Sequence, residues 1–339
     1  MTMHLGWYVH HHGRGHLTRM RAIAAHLDAD ITCFSTLPAP PGLPTRCAWI
    51  RLQRDDEPLA DDSSPAERDP SARGLLHWAP LGHQGHRDRL AVIASTLSTD
   101  GIDAMVVDVS VEVTLLARLL GVRTVVLAQP GVRTDAAHQL GFRAATAIIA
   151  PWPQRLLRPA HLEEVGDRVV YVGGISRFDG RERPRAAERS GVVVLGGAGG
   201  SAVTEDEVAS AAAASGRPWT TLGATPGAAW SADPWSRLCS AAVVVSWAGQ
   251  NAIADLAAAG ARAVVIPQSR PFEEQDATAR VLDASGLAIV RSDWPAADGW
   301  AATLDEASSL EPDWSLWEVR GAAERAAAAI MSAASGHLR

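Results

Sequence analysis

Short β-rich apolar runs alternate along the chain with longer segments whose apolar residues recur at helical spacing. This pattern predicts βαβ units and parallel sheets. In the first half "WYVHH", "ITCFST", "CAWIRL", "AMVVDV", "RTVVLA" and "AIIA" read as strands. "LTRMRAIAAHL", residues 84–98, "VEVTLLARLL" and Ala136–Ala144 read as helices. The polar stretch "QRDDEPLADDSSPAERDPSARG" has few apolar positions to pack and reads as a mobile loop. The second half repeats the alternation, with "VVVLGG", a helix from about Thr204, "WTTL", and then "AAVVVSWAGQNAIADLAAAGARAVVIP". A helix from Glu273, the strand "LAIV" and a long Ala-rich helix complete it. The charged, proline-containing segment "SRFDGRERPRAAERSG" divides the halves. The expectation is an α/β protein of two doubly wound, Rossmann-like domains, residues 1–175 and 191–339, joined by a linker at 176–190, with the last helix able to cross back to the first domain.

Composition narrows the function classes. Over 339 residues, 47% are apolar and 20% charged, enough for sizeable cores. A net charge of −7 argues against a general nucleic-acid binder, which needs a basic surface. All 31 basic residues are Arg. The lack of Lys excludes a Walker-type phosphate lysine, a Schiff-base lysine and a lysine general base. Cys33, Cys47 and Cys239 are odd in number and far apart, and read as reduced core residues of a cytoplasmic protein. The first apolar stretch has no basic region before it and ends in histidines, so it reads as a strand and not a signal peptide. No apolar run reaches the roughly 18 residues of a membrane span, which leaves contact with a membrane surface open.

Ligands of doubly wound sheets bind beyond the carboxyl ends of the strands, so the residues just after each strand carry the candidate chemistry. Three stretches stand out. In "HHHGRGH", Gly13 and Gly15 separate strand from helix and His16 opens the helix. In "VLGGAGGSAV", Gly196, Gly197, Gly199 and Gly200 follow a strand, where backbone N–H groups can approach a phosphate; a plain tight turn is the alternative. In the third, a strand ends at Ser246 and Gly249 opens a helix whose free N–H groups at Gln250 and Asn251 form an anion site. Asp255, one turn in, is able to accept from a ribose diol, as are Glu274 and Gln275 at the start of the next helix. Taken singly, these residues also fit N-cap polarity and solvated helix starts.

Together, the residues from Val243 to Ala279 resemble the donor-binding half of the GT-B glycosyltransferases. They are most similar to the group containing the N-acetylglucosaminyltransferase that makes lipid II in peptidoglycan synthesis. That group has Ser-x-Ala-Gly after a strand, here Ser246-Trp247-Ala248-Gly249, and then an acidic residue that binds the nucleotide ribose. Asp255 stands at this position in place of the longer Glu. The group's Gln-Gln pair near the donor sugar is half preserved as Glu274-Gln275. Its Gly-Gly-Ser-x-Gly loop resembles "GGAGG", with Ala198 in place of the serine, and its Gly-Asn-Pro-x-Arg junction resembles "GGISR", which ends in Arg177. A loop ending in Gly-His is matched at the N-terminus by "GRGH". More narrowly, "HHHGRGHL", "LHWAPL" and "VVDVSVEV" resemble actinobacterial predicted glycosyltransferases of unassigned substrate, and the Lys-free, Ala- and Arg-rich composition fits a high-GC source.

The resemblance implies GT-B architecture, with the two domains facing a central cleft. It implies a hexosyltransferase-type enzyme that moves a sugar from a nucleotide-sugar donor, UDP-linked, to a hydroxyl acceptor, with inversion and without a metal. The nucleotide sugar is a substrate, and no further cofactor is expected. The acceptor classes are a lipid-linked intermediate, a cell-wall polymer or a secondary metabolite. These place the protein in the cytoplasm, with peripheral contact at the inner face of the membrane open to it. Such chemistry needs a base for the acceptor proton and dipolar or positive groups for the departing diphosphate. His16 is the first candidate base, with His12 behind it. Asp108, at the end of a strand, would orient His16, act as base itself, or cap the next helix. Arg177 and helix dipoles would offset the diphosphate charge. His10, His11 and His12, if they continue the strand, alternate faces and cannot share one metal. "DAD" at 28–30 reads as a helix-end turn, and His77, His83 and His86 with Trp78 as an acceptor-site cluster or plain surface. A sugar-nucleotide epimerase or hydrolase on the same fold, and a non-catalytic sugar-nucleotide-binding protein, are the alternatives. A dinucleotide dehydrogenase is disfavoured because neither glycine loop forms G-x-G-x-x-G with a suitably spaced acidic residue.

Overall fold

The computed structural model describes residues 2–184, 189–197, 203–225, 231 and 233–337. The first half runs β1 (Met3–Val9), α1 (Gly15–Ala24), β2 (Ala29–Ser35), β3 (Cys47–Arg51), α2 (Gln84–Thr99), β4 (Ala104–Asp108), α3 (Val111–Leu119), β5 (Arg123–Leu127), α4 (Ala136–Ala144), β6 (Ala147–Ala150) and β7 (Val169–Tyr171). The second runs β8 (Val192–Leu195), α5 (Glu205–Ser215), β9 (Trp219–Leu222), α6 (Trp235–Ser240), β10 (Val243–Ser246), α7 (Gln250–Ala259), β11 (Ala263–Val265), α8 (Glu274–Ala284), β12 (Ile289–Val290), α9 (Trp300–Ser309) and α10 (Ala322–Ser335).

Each half forms one parallel sheet. The first has seven strands in the order β3-β2-β1-β4-β5-β6-β7, the second five in the order β12-β11-β10-β8-β9. The direction of winding reverses between β1 and β4 in the first sheet and between β8 and β10 in the second. At such reversals the loops leave in opposite directions and open a crevice beyond the strand ends.

Strand side chains alternate between two apolar layers, as sheets covered on both faces require. Leu5, Trp7 and Val9 of β1 pack with α1 and α10, while Tyr8 faces the layer formed by Ile93, Leu97 and Val113. In β10, Val244 packs with Ile253 and Leu256 of α7, and Val243 and Val245 with Trp300 and Leu304 of α9. The last helix belongs to the first sheet's core: Ala322, Ala326, Ile330 and Ala333 of α10 are fully buried among β1 and β5 residues. Its alanines let the helix lie close to the strands.

Cys33 and Cys47, distant in sequence, meet across β2 and β3, where a hydrogen bond between the thiols and burial push Cys33 up. All three cysteines are free. Asp28 and Asp30 pair with Arg46 at the surface. Among the described residues no helix is long and apolar enough to cross a membrane.

The polar stretch after Gln53, which composition alone reads as a mobile loop, is anchored by charge instead of by apolar packing. Asp55 is buried and paired with the buried Arg89, whose other nitrogen donates to the Tyr8 hydroxyl at 2.9 Å. The Asp55 carbonyl accepts from Trp78 Nε1 at 3.0 Å, and the Glu57 carbonyl contacts His83 Nε2 at 2.9 Å. His83 also caps α2, and His86 lies 3.7 Å from Asp55. Both histidines therefore serve this anchor, apart from His77. An Asp55→Ala change leaves Arg89 buried without its counter-charge. Stability should fall by about 3 kcal/mol, the usual loss when one partner of a buried pair is removed, read as a lower urea midpoint in circular dichroism.

Candidate active site

The two winding reversals face each other, and a cavity of about 240 Å³ lies between them. The first domain lines it with His12, Gly13, Arg14, Gly15, His16, Arg19 and Gln129. The second contributes Gly197, Ser246, Trp247, Gly249, Gln250, Asn251, Ala252, Gln268, Arg270, Glu274 and Gln275.

On the first side, α1 begins immediately after a left-handed turn at Gly13 (φ +71°), a conformation that favours glycine. His16 and Arg19 then lie three residues apart on one helical face. Parallel pairing of β1 with β4 sets Asp108 beside Val9 at the strand ends, under that face. Asp108 is fully buried. Its Oδ1 contacts His16 Nδ1 at 2.9 Å and accepts from Arg19 at 2.6 Å, and its Oδ2 accepts from Arg19 Nε at 3.1 Å. Burial alone would raise this carboxyl. The Arg19 guanidinium and His16 outweigh it and hold Asp108 well below the usual carboxylate range. A carboxylate so held is a poor base and a strong acceptor. Its shorter contact, 2.9 Å against 3.3 Å for Arg19 at the same nitrogen, favours the His16 tautomer with the proton on Nδ1 and leaves Nε2 with a lone pair. Ser110, not Asp108, caps α3. Val109 between them has φ +67°, a costly conformation for a β-branched residue, stored beside the site.

The histidine run departs from its sequence reading. The strand ends at Val9, so the three residues do not alternate faces. Their rings stack instead: His10 on His11 and His12 at 4.9 Å, and His11 on His12 at 4.5 Å, with interplanar angles of 10° to 30°. One nitrogen from each ring lies within 4.8 Å of the others, close enough for the three to share a cation. Burial and the neighbouring imidazoles lower His10 well below the ordinary histidine value, so the stack holds it neutral.

On the second side, Gly249 precedes α7, and among the described residues no side chain caps the helix, whose first turn lines the cavity. At the far end Arg183 and Arg189 donate to the carbonyls of Ala257, Ala258, Ala259 and Gly260, and so complement the negative end of the same helix. The side chains of the first turn of α7 reach the other domain. Gln250 Oε1 accepts from Arg19 at 2.8 Å and Asn251 Nδ2 donates to the Gly15 carbonyl at 2.7 Å. Ser246 donates to the Leu195 carbonyl at 3.1 Å. Gly196 lies so near Gly223 and Ala224 that a Cβ would collide with their backbone, a packing reason for this glycine. Gly199 lies outside the described residues. Gln275 Oε1 accepts from the amides of Ala248 and Gln268, tying two strand-exit loops together. Glu274 lies 3.5 Å from Arg133 of the first domain.

Asp255 and Arg177 stand elsewhere than expected. Neither lines the cavity. Asp255 is buried, with one carboxylate oxygen accepting from Ser176 at 2.7 Å and the other from Arg177 Nε at 3.0 Å. Burial pushes its carboxyl up to about 6 despite Arg177. Its position on α7 faces the segment that joins the domains, so the pair holds that junction. His77 is bound to Asp135 beside the domain contact. A wider groove of about 1320 Å³ lies behind the junction, but Arg181 and Arg262 in its wall pair with Asp233 and Glu311.

Sequence reading missed Arg19, Gln129, Gln268 and Arg270. Gln129 and Gln268 follow strands, as the strand-exit rule requires, and Arg19 is one turn after His16. Those were the available signals.

Residues 233–298 match the glycosyltransferase family 28 C-terminal domain. The fold is similar to that of Medicago truncatula UGT71G1 complexed with UDP-glucose, with a TM-score of 0.67, 14% identity, and coverage of 100% of this chain and 99% of that one. It is also similar to Acinetobacter baumannii MurG, with a TM-score of 0.62, 15% identity, and coverage of 97% and 99%. The glycotransferase of kitacinnamycin gives a TM-score of 0.63, 15% identity, and coverage of 98% and 99%. No curated protein matches the chain in sequence. The chain has the GT-B fold, two parallel-sheet α/β domains across a cleft.

The Asp108→Asn variant should lose about 3 kcal/mol at neutral pH, because Arg19 keeps its buried charge and loses the counter-charge. Because the native carboxyl is depressed, its contribution is present above the unfolded value of about 4 and disappears as pH falls further. Melting curves at pH 7 and below pH 4 should show the difference from wild type narrowing in acid.

Proposed function

We propose that the protein is a nucleotide-sugar-dependent glycosyltransferase that transfers a hexose from a UDP-linked donor to a hydroxyl acceptor with inversion and without a metal. The observation that carries this reading is the His16–Asp108–Arg19 set facing the uncapped start of α7 across the cavity. The match of residues 233–298 to the glycosyltransferase family 28 C-terminal domain supports it independently.

In this reading the donor diphosphate lies at the start of α7, where free N–H groups and the helix dipole favour anions. Arg14 and Arg270 in the cavity wall add positive charge. The acceptor hydroxyl approaches His16 Nε2. Its oxygen forms a bond to the anomeric carbon while the bond from that carbon to the β-phosphate oxygen breaks, and the nucleoside diphosphate leaves with the electron pair. The acceptor proton passes to Nε2, and Asp108 stabilises the resulting imidazolium through Nδ1. Attack opposite the leaving group inverts the anomeric centre. Charge on the leaving group is offset by arginines and backbone dipoles, which makes a divalent metal unnecessary to this scheme. His12 lines the acceptor side of the cavity. Glu274 accepts hydrogen bonds from donor-sugar hydroxyls.

Thermal shift against UDP-, dTDP- and GDP-sugars should show stabilisation by a UDP-sugar. Incubation of that donor with hydroxyl acceptors should then give a glycoside of inverted configuration by NMR. Removing the base with His16→Ala should lower kcat by a factor on the order of 10²–10⁴ while donor binding persists. Stabilisation by no nucleotide sugar, or full turnover in His16→Ala, would overturn the assignment.

A further inference from the structure

The loop that leads into α8 crosses to the first domain in a strained conformation. Phe272 and Glu273 have φ of +63° and +53°, which bulky residues adopt at a cost. The strain coincides with close contact. The Phe272 carbonyl accepts from Val132 N–H at 2.7 Å, and Gly131 (φ +102°) lies so near that a Cβ would collide with that carbonyl. The Phe272 ring lies 5.0 Å from the Arg133 guanidinium and edge-on to His138 at 4.6 Å.

Arg133 is almost fully buried here, and every one of its nitrogens is directed. Nε donates to the carbonyls of Gln129 and Pro130 at 3.1 and 3.2 Å. One terminal nitrogen meets His138 Nε2 at 2.9 Å, and the other reaches Gln129 Oε1 at 2.9 Å and Glu274 Oε2 at 3.5 Å. A guanidinium only donates, so His138 Nε2 accepts and the His138 proton sits on Nδ1. That proton is given to Asp135 Oδ2 at 2.6 Å, and Asp135 Oδ1 contacts His77 Nε2 at 3.0 Å. His77, Asp135 and His138 also converge as two imidazoles and a carboxylate suited to a cation. The proton on Nδ1 leaves that nitrogen no lone pair for a metal, so the group reads as a directed hydrogen-bond row. The row ends on Glu274, the carboxylate in the cavity.

Burial raises the Glu274 carboxyl, and Arg133 opposes that shift. Without Arg133 this side chain has less reason to stay ionised, and among the described residues it loses the side-chain hydrogen bond that fixes its angle.

We propose that Arg133 is a positioning residue for donor-sugar recognition: braced by His138, Asp135 and His77, it aims the Glu274 carboxylate at the sugar hydroxyls when the two domains meet. The inference rests on the reading of the cleft as a nucleotide-sugar site. It extends that reading by making sugar recognition depend on the domain opposite the nucleotide. Arg is needed and Lys is insufficient, because the hold uses separate guanidinium nitrogens for His138 and Glu274.

Titration calorimetry of the full chain with UDP-, dTDP- and GDP-hexoses, each against its free nucleoside diphosphate, tests this. For the hexose donor that binds, Arg133→Met should weaken the nucleotide sugar by about tenfold, the coupling expected of a contacting charged pair. The free diphosphate should change by less than about twofold in the same variant. Arg133→Lys should recover little, and the Arg133→Met/Glu274→Gln double variant should be no weaker than the worse single one. Imidazole ¹⁵N spectra should show His138 with its proton on Nδ1 in wild type, and its titration should move from about 4 toward the ordinary value in Arg133→Met. Equal losses for sugar nucleotide and diphosphate, additive losses, or unchanged binding would overturn this proposal alone. A wild-type protein that binds none of these ligands would overturn the donor-site reading, and the role of Arg133 with it.

Discussion

Asp108 is wholly withdrawn from water at the end of a central strand, and an isolated carboxylate there would be several kcal/mol unfavourable. It is tolerated because Arg19 and His16 meet it on the facing helix. That meeting requires the β1–β4 register that sets Asp108 beside Val9, and the glycine turn that starts α1 at the right height. Arg19 has one more nitrogen to satisfy, and it satisfies it on Gln250 of the other domain. Charge compensation within the first domain and closure onto the second are therefore one constraint. The tautomer of His16 is its chemical product.

The helix that receives Arg19 is itself arranged end to end. Its amino end is left without a side-chain cap and opens on the cleft, while Arg183 and Arg189 occupy the carbonyls at its other end. Compensation at one end sharpens the asymmetry of the dipole presented at the other. The Asp255–Arg177 pair sits between, anchoring the middle of the helix to the segment that joins the domains.

What the sequence made legible was position, and what it hid was partnership. Alternation between period-2 and period-3.6 patterns located the strands, and with them the exits where His16, Asp108, Ser246 and Gly249 stand. The partner of a buried charge is set by tertiary contact. Asp255 and Arg177 are 78 residues apart, and nothing local distinguishes a carboxylate that faces a ribose from one that faces an arginine. The histidine run failed for a different reason. It was read as a continuation of β1, but the strand stops at Val9, before the first histidine, and in a loop three successive rings are free to stack. The polar stretch after Gln53 failed because composition counts apolar anchors and misses Asp55, a polar one. Arg133 follows a strand exit by several residues, beyond the reach of a rule that inspects the exit alone.

The burial of α10 on the first sheet bears on the order in which the chain acquires its shape. Leu5, Trp7 and Val9 emerge early in synthesis, yet the helix that covers them spans residues 322–335. Domains otherwise fold in order of emergence. Here the amino-terminal domain stays unfinished, with an apolar face uncovered, until the carboxyl-terminal domain has been made. The core of the first sheet therefore closes only once residues 322–335 are available to it.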